Sequence, residues 1–352
     1  MDFTIQVYPY ELKFKNPAGT SRGVYLFRKV WYVVIRSLKD PLHIGIGECA
    51  PLLDLSCDNL PDYEEVLKAF CKQTEQAGSV DTESLRNYPS MLFGLETAMR
   101  QYERHQDYHL YDTDFASGME GIRINGLIWM GDKKKMYDQI VAKLEAGFKC
   151  IKLKIGAIDF DSEIDLLRYI RAHFSSDEIE LRVDANGAFA LTDAMDKLNR
   201  LSEFEIHSIE QPIRAGQWVQ MADLCSRTPV PIALDEELIG VNDFSDKQAL
   251  LEAIKPQYII LKPSLHGGMA GTSEWIQEAR LRNIPWWITS ALESNIGLNA
   301  IAQWTSTFKN PLPQGLGTGM LYTNNIPMNL EIRQDCLWIN PDINFDPLTI
   351  IQ

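Results

Sequence analysis

The chain lacks the features that mark several large classes of protein. Of its 352 residues, 34 are Lys or Arg and 48 are Asp or Glu, which gives a formal net charge of −14. We therefore expect no nucleic-acid partner, because a phosphate-binding surface needs concentrated positive charge. No apolar run approaches the roughly 20 residues of a membrane span. The first residues, MDFTIQVYPYELKF, indicate a strand rather than a signal peptide. We expect no membrane association.

Cysteine is sparse and carries no metal-binding or redox spacing. The six cysteines are Cys49, Cys57, Cys71, Cys150, Cys225 and Cys336. Without CxxC pairs or zinc spacing, they are predicted to be reduced thiols of the protein core. This usage is typical of a cytoplasmic protein, which is the location that we expect.

The order of strands and helices predicts an α/β protein with three parts. Residues 1–120 hold three strand-like runs followed by two helical ones, which predicts an α+β domain. Residues 121–320 alternate eight candidate strands with helical segments, the pattern of a (β/α)8-type barrel. Residues 321–352 contain further strand-like patches, and we expect this C-terminal segment to return to the first domain and complete it.

Charged residues recur at the ends of the predicted barrel strands. From Lys154 the next ones, Asp184, Glu210, Asp235 and Lys262, follow at intervals of 25 to 30 residues, about one strand–loop–helix unit each. Each residue closes a short apolar run, as in CIKLKI or PIALDE. The carboxyl ends of parallel strands meet on one rim of a barrel, where active sites are built. The spacing therefore predicts a catalytic rim.

The three carboxylates of this series suit a divalent metal. Hard oxygen ligands from three neighbouring strands are typical of Mg²⁺, and Mn²⁺ can substitute. Asp184, Glu210 and Asp235 are the predicted ligands. Strand alternation would place Glu236, which follows the third ligand, on the opposite side, toward the helices.

The lysines of the series predict acid–base chemistry. Lys152 and Lys154 are two residues apart, so a strand would direct both side chains into the barrel mouth. Their mutual repulsion and a nearby metal would favour a neutral lysine, which is a competent base. Lys262 ends the sixth predicted strand, on the far side of the barrel from the second. Arg182 and Asn186 flank Asp184 at the same period, and we expect them to line the same mouth.

Together these segments resemble the enolase superfamily, and within it the muconate-lactonizing subgroup. The resemblance rests on K-L-K, D-A-N, E-Q-P, D-E and K-P-S-L-H-G-G, and on the later segments SALESNIGLNAIAQ and GLGTG. It covers nearly the whole chain, including an N-terminal capping domain with its S-R-G and G-E-C-A-P loops. The family's metal ligands match Asp184, Glu210 and Asp235. Its base matches Lys154, and its opposite lysine matches Lys262.

The resemblance also implies a reaction. The later segments are most similar to the branch that dehydrates a cyclohexadiene carboxylate carrying a succinyl chain, so a small anionic substrate is expected. Lys154 would remove the proton next to the carboxylate, Lys152 would offset the charge that develops, and Lys262 would remain charged beside the ring. The other expected substrate-binding residues lie on capping loops or at strand ends: Ser21, Arg22, Ser264, Ser290 and Glu293. Family members include monomers, dimers and larger rings, so the resemblance allows an oligomer.

Other reactions use similar residues. A racemase of N-acylated amino acids needs the same two lysines, and muconate cycloisomerase stays open as well. Dipeptide epimerases typically carry an aspartate pair after the eighth strand, where this chain has Gly315–Gly319. Mandelate-racemase relatives use a histidine base after the seventh strand, where Ser290, Ala291 and Leu292 stand. A protein that only binds a ligand is the remaining alternative. It is disfavoured because burying so many charged side chains is costly unless they have a chemical role.

Overall fold

The computed structural model describes residues 2–20, 23–105 and 109–343. Two of the predicted substrate-binding residues, Ser21 and Arg22, lie outside the described residues. No helix in the described ranges is both long and apolar enough to span a bilayer. All six cysteines are described and are free thiols. Cys57 is exposed, so the prediction that they all belong to the core is wrong for that residue.

The N-terminal region is an antiparallel sheet covered by two helices, as predicted. The sheet order is β1-β2-β3, and the elements are β1 (Phe3–Thr20), β2 (Gly23–Ser37), β3 (Ile44–Cys49), α1 (Tyr63–Ala77) and α2 (Pro89–Arg104). Helix α2 packs very closely on β3. A Cβ added at Gly47 on β3 would lie only 1.8 Å from the carbonyl oxygen of Gly94 on α2. Four apolar residues of α2 are buried in one cluster with residues of the sheet: Leu92, Leu95, Ala98 and Met99.

The central region is a parallel barrel. Seven strands follow one another in chain order around the sheet: β5 (Gly126–Ile128), β6 (Cys150–Lys154), β7 (Glu180–Asp184), β8 (Ser208–Glu210), β9 (Ile232–Leu234), β10 (Tyr258–Leu261) and β11 (Trp286–Ile288). The predicted eighth strand is reduced to two bridges. Gln314 pairs with Ile124, and Gly315 pairs with Thr289, which closes the ring between the first and seventh strands.

Helices alternate with the barrel strands. They are α3 (Lys133–Glu145), α4 (Phe160–His173), α5 (Ala194–Ser202), α6 (Trp218–Arg227), α7 (Phe244–Ile254), α8 (Gly268–Leu281) and α9 (Asn295–Ser306), with a single 3-10 turn at Glu236–Leu238. The outward side chains of the strands, such as Leu153 and Val183, share one core cluster with apolar residues of these helices. Ala233, Ile260 and Trp287 alternate with such residues and form a separate cluster inside the barrel.

The chain after the barrel contacts two different regions of the protein. Leu321 accepts a hydrogen bond from the backbone N–H of Lys15 at 2.8 Å, so this stretch contacts the N-terminal sheet. The following hairpin, β12 (Leu330–Arg333) and β13 (Cys336–Ile339), instead pairs with β4 (Ile122–Arg123) in a second antiparallel sheet. The segment 121–128 is therefore divided between this sheet, through β4, and the barrel, through β5. The domain limits at residues 120 and 320 stay a prediction.

Candidate active site

Strand alternation places the charged side chains inside the barrel. On β6, Ile151 and Leu153 are fully buried against the helical layer, so Lys152 and Lys154 point inward. The parallel register then aligns the three strand ends, because Lys154 pairs with Asp184 and Asp184 pairs with Glu210. Residues that lie 26 to 30 positions apart in the sequence are thus neighbours on one rim of the barrel.

Two lysines bind the first two carboxylates. Nζ of Lys154 lies 2.9 Å from Oδ2 of Asp184 and donates to Oδ1 of Asn186 at 2.8 Å. Nζ of Lys152 lies 3.1 Å from the same aspartate oxygen and also donates to Oε2 of Glu210. Lys152 is 7% exposed and Asp184 is 1% exposed, so these ion pairs form largely out of water. Removing one partner of such a buried ion pair would leave the other charge buried without compensation, which strongly destabilises a fold.

Lys262 faces this group from the opposite wall. It follows β10, the sixth of eight positions around the ring, whereas β6 is the second. Its Nζ donates to Oδ2 of Asp235, a fully buried carboxylate. Lys152, Lys154 and Lys262 all line one cavity of about 120 Å³. A molecule in this cavity would have a lysine on each side.

The charge balance keeps two of the lysines protonated. Burial lowers the pKa of Lys152, but the carboxylates of Asp184 and Glu210 outweigh it, and the net pKa is raised. Burial likewise lowers the pKa of Lys262, and Asp235 and Glu210 reverse the direction. The acidic side chains thus dominate the local field at these two lysines, which are the two expected to carry positive charge.

The carboxylates respond in opposite ways. Burial raises the pKa of Asp184, but Lys152 and Lys154 outweigh it and the net pKa is lowered. The pKa of Asp235 is also lowered, because Lys262 outweighs its burial. For Glu210, burial and the negative charge of Asp184 raise the pKa well above its ordinary value. Bringing three acids together is therefore costly at Glu210, which is the situation that a bound cation relieves.

The donor set fits a hard divalent cation. Oε1 of Glu210 and Oδ1 of Asp235 are buried and accept no hydrogen bond, so each offers an oxygen that nothing else satisfies. Lysine ammonium groups bind the remaining oxygens named above. Among the described residues, no three acidic, histidine or cysteine side chains are already drawn together as a ligand set. A metal would therefore need the lysines to shift away from the carboxylates.

Four of the predicted substrate-binding residues lie at or near the cavity and divide into two pairs. Asn186 and Ser290 line the cavity, and the hydroxyl of Ser290 is 2.6 Å from that of Thr318. Ser264 instead donates to Glu293, whose other oxygen accepts from the N–H of Ala291 at 2.7 Å. These two side chains thus hold the loops behind the wall.

Arg182 does not line the mouth, so that prediction is wrong. It lies one layer deeper, two residues before Asp184 on the same face of β7. There its guanidinium donates to Glu180 at 2.7 Å and to the carbonyl oxygen of Pro313 at 2.9 Å. It also lies 4.1 Å from the ring centroid of Trp287 inside the barrel. The period of two gave the correct face but not the depth.

Glu236 lines the cavity, contrary to the prediction that it faces the helices. The strand period ends at Asp235, where the chain turns into the 3-10 helix Glu236–Leu238. Oε1 of Glu236 accepts from Nδ2 of Asn186 at 2.8 Å, and its Oε2 has no partner. Burial and the charge of Asp235 raise the pKa of Glu236 to about 7.

Apolar residues complete the wall and connect it to a second cavity. The sequence singles out none of them, because they come from loops or, for Tyr25, from the start of β2 and carry no periodic signal: Tyr25, Leu52, Leu55, Trp129, Leu265 and Leu292. A larger cavity of about 580 Å³ lies in the capping region. Tyr25, Leu52 and Leu292 line both cavities. The outer space thus adjoins the lysine-lined one.

His266 is unsuited to act as a base. It is 1% exposed, and its Nδ1 accepts the backbone N–H of Lys262 at 2.9 Å. Burial lowers its pKa to about 3, so the ring is neutral. It supports the loop that carries Lys262.

The fold and the charged rim define the class of protein, and comparison with known families agrees. Residues 135–340 match the family model described as enolase C-terminal domain-like. The chain belongs to the enolase superfamily. The predicted resemblance and the predicted fold class are therefore confirmed.

Particular relatives are more specific. The chain is 45% identical over 359 aligned positions to an o-succinylbenzoate synthase of Desulfotalea psychrophila, covering 92% of this chain and 95% of that protein. A crystal structure of MenC from the same organism superposes with a TM-score of 0.82 at 40% identity, over 96% of this chain and 100% of that one. A dipeptide epimerase of Cytophaga hutchinsonii, solved with Mg and a dipeptide, has a TM-score of 0.79 at 20% identity, over 96% and 94% of the two chains. The epimerase shares the fold.

Proposed function

We propose that this chain catalyses the Mg²⁺-dependent dehydration of 2-succinyl-6-hydroxy-2,4-cyclohexadiene-1-carboxylate to 2-succinylbenzoate, a step of menaquinone biosynthesis. The observation that carries the proposal is the pair of lysines, Lys154 and Lys262, on opposite walls of one cavity beside three carboxylates. The similarity to an o-succinylbenzoate synthase over nearly the whole chain supports the choice of substrate. The reaction is that of a hydro-lyase.

Lys154 acts as the base. It lies at the end of β6 with its Nζ at the cavity, held by Asp184 and Asn186 at 2.9 and 2.8 Å. In its neutral form it removes the proton from the carbon next to the ring carboxylate. The electron pair of that C–H bond passes into the carboxylate as an enediolate, so negative charge develops on the two oxygens.

Cationic groups offset this charge. Lys152, whose pKa the carboxylates of Asp184 and Glu210 raise against its burial, would provide a positive charge next to the developing anion. Asp184, Glu210 and Asp235 would hold Mg²⁺, or Mn²⁺ in its place, and the metal when bound supplies Lewis-acid stabilisation of the carboxylate oxygens. The unpaired oxygens of Glu210 and Asp235 support this assignment.

The leaving group departs from the same side. Protonated Lys154 returns its proton to the departing hydroxyl, the C–O bond breaks, and the electron pair of the enediolate forms the last double bond of the aromatic ring. One water is released, and nothing is oxidised or reduced. Lys262, whose pKa is raised by Asp235 and Glu210 against its burial, remains an ammonium group beside the anionic ring and moves no proton.

The outer cavity would accommodate the succinyl chain. It adjoins the lysine-lined cavity at Tyr25, Leu52 and Leu292, and its mostly apolar wall suits a methylene chain. Ser290 and Asn186 line the inner cavity and would contact the ring. The partner is thus a small anionic molecule. We place the enzyme in the cytoplasm, and we propose no nucleic-acid or membrane partner; an oligomer is compatible with the proposal.

Turnover of the diene carboxylate tests the function. Formation of the aromatic ring changes ultraviolet absorbance, so we expect a signal that needs Mg²⁺, stops with EDTA and is lost in Lys154→Ala. A matched control is Lys149→Ala, because Lys149 is an exposed lysine just before the same strand. No turnover by the wild-type enzyme at saturating Mg²⁺ would refute the named substrate.

A racemase of N-succinyl amino acids is the second candidate. A lysine on each wall could serve both faces of an α-carbon, which is the geometry that favours it. Polarimetry of an N-succinyl amino acid under the same conditions distinguishes the two reactions. Racemisation without dehydration would replace the proposed function, whereas both signals would show two activities at one site.

A further inference from the structure

A carboxylate of the capping region caps a helix of the barrel. Oε2 of Glu96, on α2, accepts the backbone N–H of Met269 at 2.6 Å, and its Oε1 accepts that of Ala270 at 3.0 Å. These N–H groups belong to the first turn of α8, which has no partner for them within its own chain segment. The cap position of α8 is Gly267, which has no side chain to provide one. Glu96 therefore supplies the missing acceptor from 173 residues away.

The loop before α8 is built to admit this carboxylate. Gly267 and Gly268 have φ values of 89° and 67°, in the left-handed region. A Cβ added at Gly268 would lie 2.3 Å from Oε2 of Glu96. The approach of Glu96 thus explains the glycine at position 268, whereas a Cβ added at Gly267 would lie 3.0 Å from Cα of Gly271.

The same loop carries Lys262. Its carbonyl oxygen accepts the N–H groups of Leu265 and His266 at 2.8 and 3.0 Å. The backbone N–H of Lys262 in turn donates to Nδ1 of His266 at 2.9 Å. Residues 262–267 therefore form one compact turn, and whatever fixes the start of α8 also fixes the backbone from which the lysine projects.

We propose that Glu96 is a positioning residue for Lys262: it binds the N-terminus of α8 and so fixes the Lys262 loop relative to the capping region. The capping region contributes the wall residues Tyr25 and Leu52. The contact thus sets the distance between the substrate-enclosing wall and the second lysine. The chemical role of Lys262 rests on the proposed function, whereas the mechanical role of Glu96 does not.

Glu96→Gln tests the proposal, because glutamine keeps the size but replaces one acceptor oxygen by a donor. We expect kcat to fall about tenfold, as for loss of a charge-assisted hydrogen bond, with KM changed by less than about twofold. Hydrogen exchange of the amides of residues 263–271 should rise selectively. If glutamine prevents folding, Glu96→Asp, which keeps both oxygens on a shorter stem, should show the same pattern more weakly.

Asp58→Asn is the matched control. Asp58 is a buried carboxylate that caps α2, the helix of Glu96 itself, by accepting from the N–H of Ser90 at 2.8 Å and from its hydroxyl at 2.6 Å. Both hydrogen bonds come from α2 and neither from the Lys262 loop, so the loss of Asp58 should lower the melting temperature and leave kcat within about twofold. Equal losses of kcat in the two variants, or exchange that rises equally in α2 and α8, would overturn the proposal.

Hydrogen exchange keeps this test separate from the proposed function. If the wild-type enzyme fails to turn over the diene, the proposed function is lost, and exchange alone still decides whether Glu96 fixes the loop. If the wild-type enzyme is active and Glu96→Gln keeps full kcat and unchanged exchange, the proposed function stands and the role of Glu96 is refuted.

Discussion

Lys154 and Asp184 occupy paired positions on adjacent parallel strands, and Nζ of the lysine lies 2.9 Å from Oδ2 of the aspartate. The same oxygen is 3.1 Å from Nζ of Lys152. A proposed base and a proposed metal ligand are thus held together by the register of two strands rather than by a loop. Strand registers are rigid, so the backbone positions of the two side chains are fixed before substrate arrives.

Replacing Lys154 by alanine should abolish turnover without unfolding the protein. The loss should be about 10²- to 10⁴-fold or more in kcat, the usual contribution of a positioned base. Folding should persist because Asp184 keeps the ammonium group of Lys152 as a partner. Steady-state kinetics and circular dichroism check the two statements, with Lys149→Ala as the control. A variant with a tenth of wild-type activity or more would rule out Lys154 as the base.

Glu210→Gln should weaken metal binding more than it weakens the fold. Glutamine has the same shape but removes the negative charge, and Oε1 of Glu210 has no protein partner to lose. Because the charge of the ligands sets the affinity of such sites, we expect the apparent dissociation constant for Mg²⁺ to rise by about tenfold or more. Titration of Mg²⁺ against turnover, with isothermal calorimetry as a second readout, measures it. The exposed Glu178 provides the control, Glu178→Gln. An unchanged Mg²⁺ requirement would withdraw Glu210 from the ligand set.

Residues governed by strand period and register could be predicted from the sequence. The facing of Lys152 and Lys154 and the alignment of Asp184 with Glu210 follow from a period of two and from parallel pairing. The family match and the fold then followed from the same residues. Glu236 was misplaced because the period stops where a 3-10 turn begins at Asp235. The sequence marks Asp235 as the end of the strand, but nothing in it marks Glu236 as the first residue of a 3-10 helix.

The loops behind the rim could not be predicted, because carboxylates from other elements hold them. Oε1 of Glu163 accepts the N–H of Gly156 at 2.7 Å in the loop after Lys154, and Glu237 accepts the N–H of Gly216 at 2.7 Å in the loop after Glu210. Glu48, 246 residues away in sequence, accepts the N–H of Ser294 at 2.8 Å. These acids satisfy backbone groups and have no periodic signature. Their partners become visible only once the chain is folded.

Arg182→Met should lower stability and leave catalysis nearly unchanged. The guanidinium of Arg182 is buried, pairs with Glu180 and satisfies the carbonyl oxygen of Pro313. Methionine would fill similar space but remove the ion pair to Glu180 and leave the carbonyl oxygen of Pro313 without this donor, at a cost of about 3 kcal/mol in the free energy of unfolding. Urea denaturation measures this cost. The half-exposed Arg200 is the control, and Arg200→Met should cost less than about 0.5 kcal/mol. A raised KM with unchanged stability would instead return Arg182 to the substrate pocket.

Asp58 should make the protein more stable in mild acid than at neutral pH. Burial raises the pKa of Asp58 to about 6, even though the hydrogen bonds from Ser90 act in the opposite direction. The ordinary value is about 3.9. Between these two values the folded protein keeps a proton that the unfolded chain releases. The free energy of unfolding contributed by Asp58 therefore falls as pH rises through this window, and is level below about pH 4 and above about pH 6.

The comparison of wild type with Asp58→Asn isolates this contribution, because asparagine does not titrate. The difference in the free energy of unfolding, wild type minus variant, should fall by about 2–3 kcal/mol between pH 4 and pH 7. Glu48 and Glu96, whose pKa burial also raises to about 7, contribute with the same sign in both proteins and cancel in the difference. Urea denaturation across this range measures both curves. Parallel curves would mean that Asp58 titrates alike in the folded and unfolded chains, and would remove the buried carboxylate as a cause of pH-dependent stability.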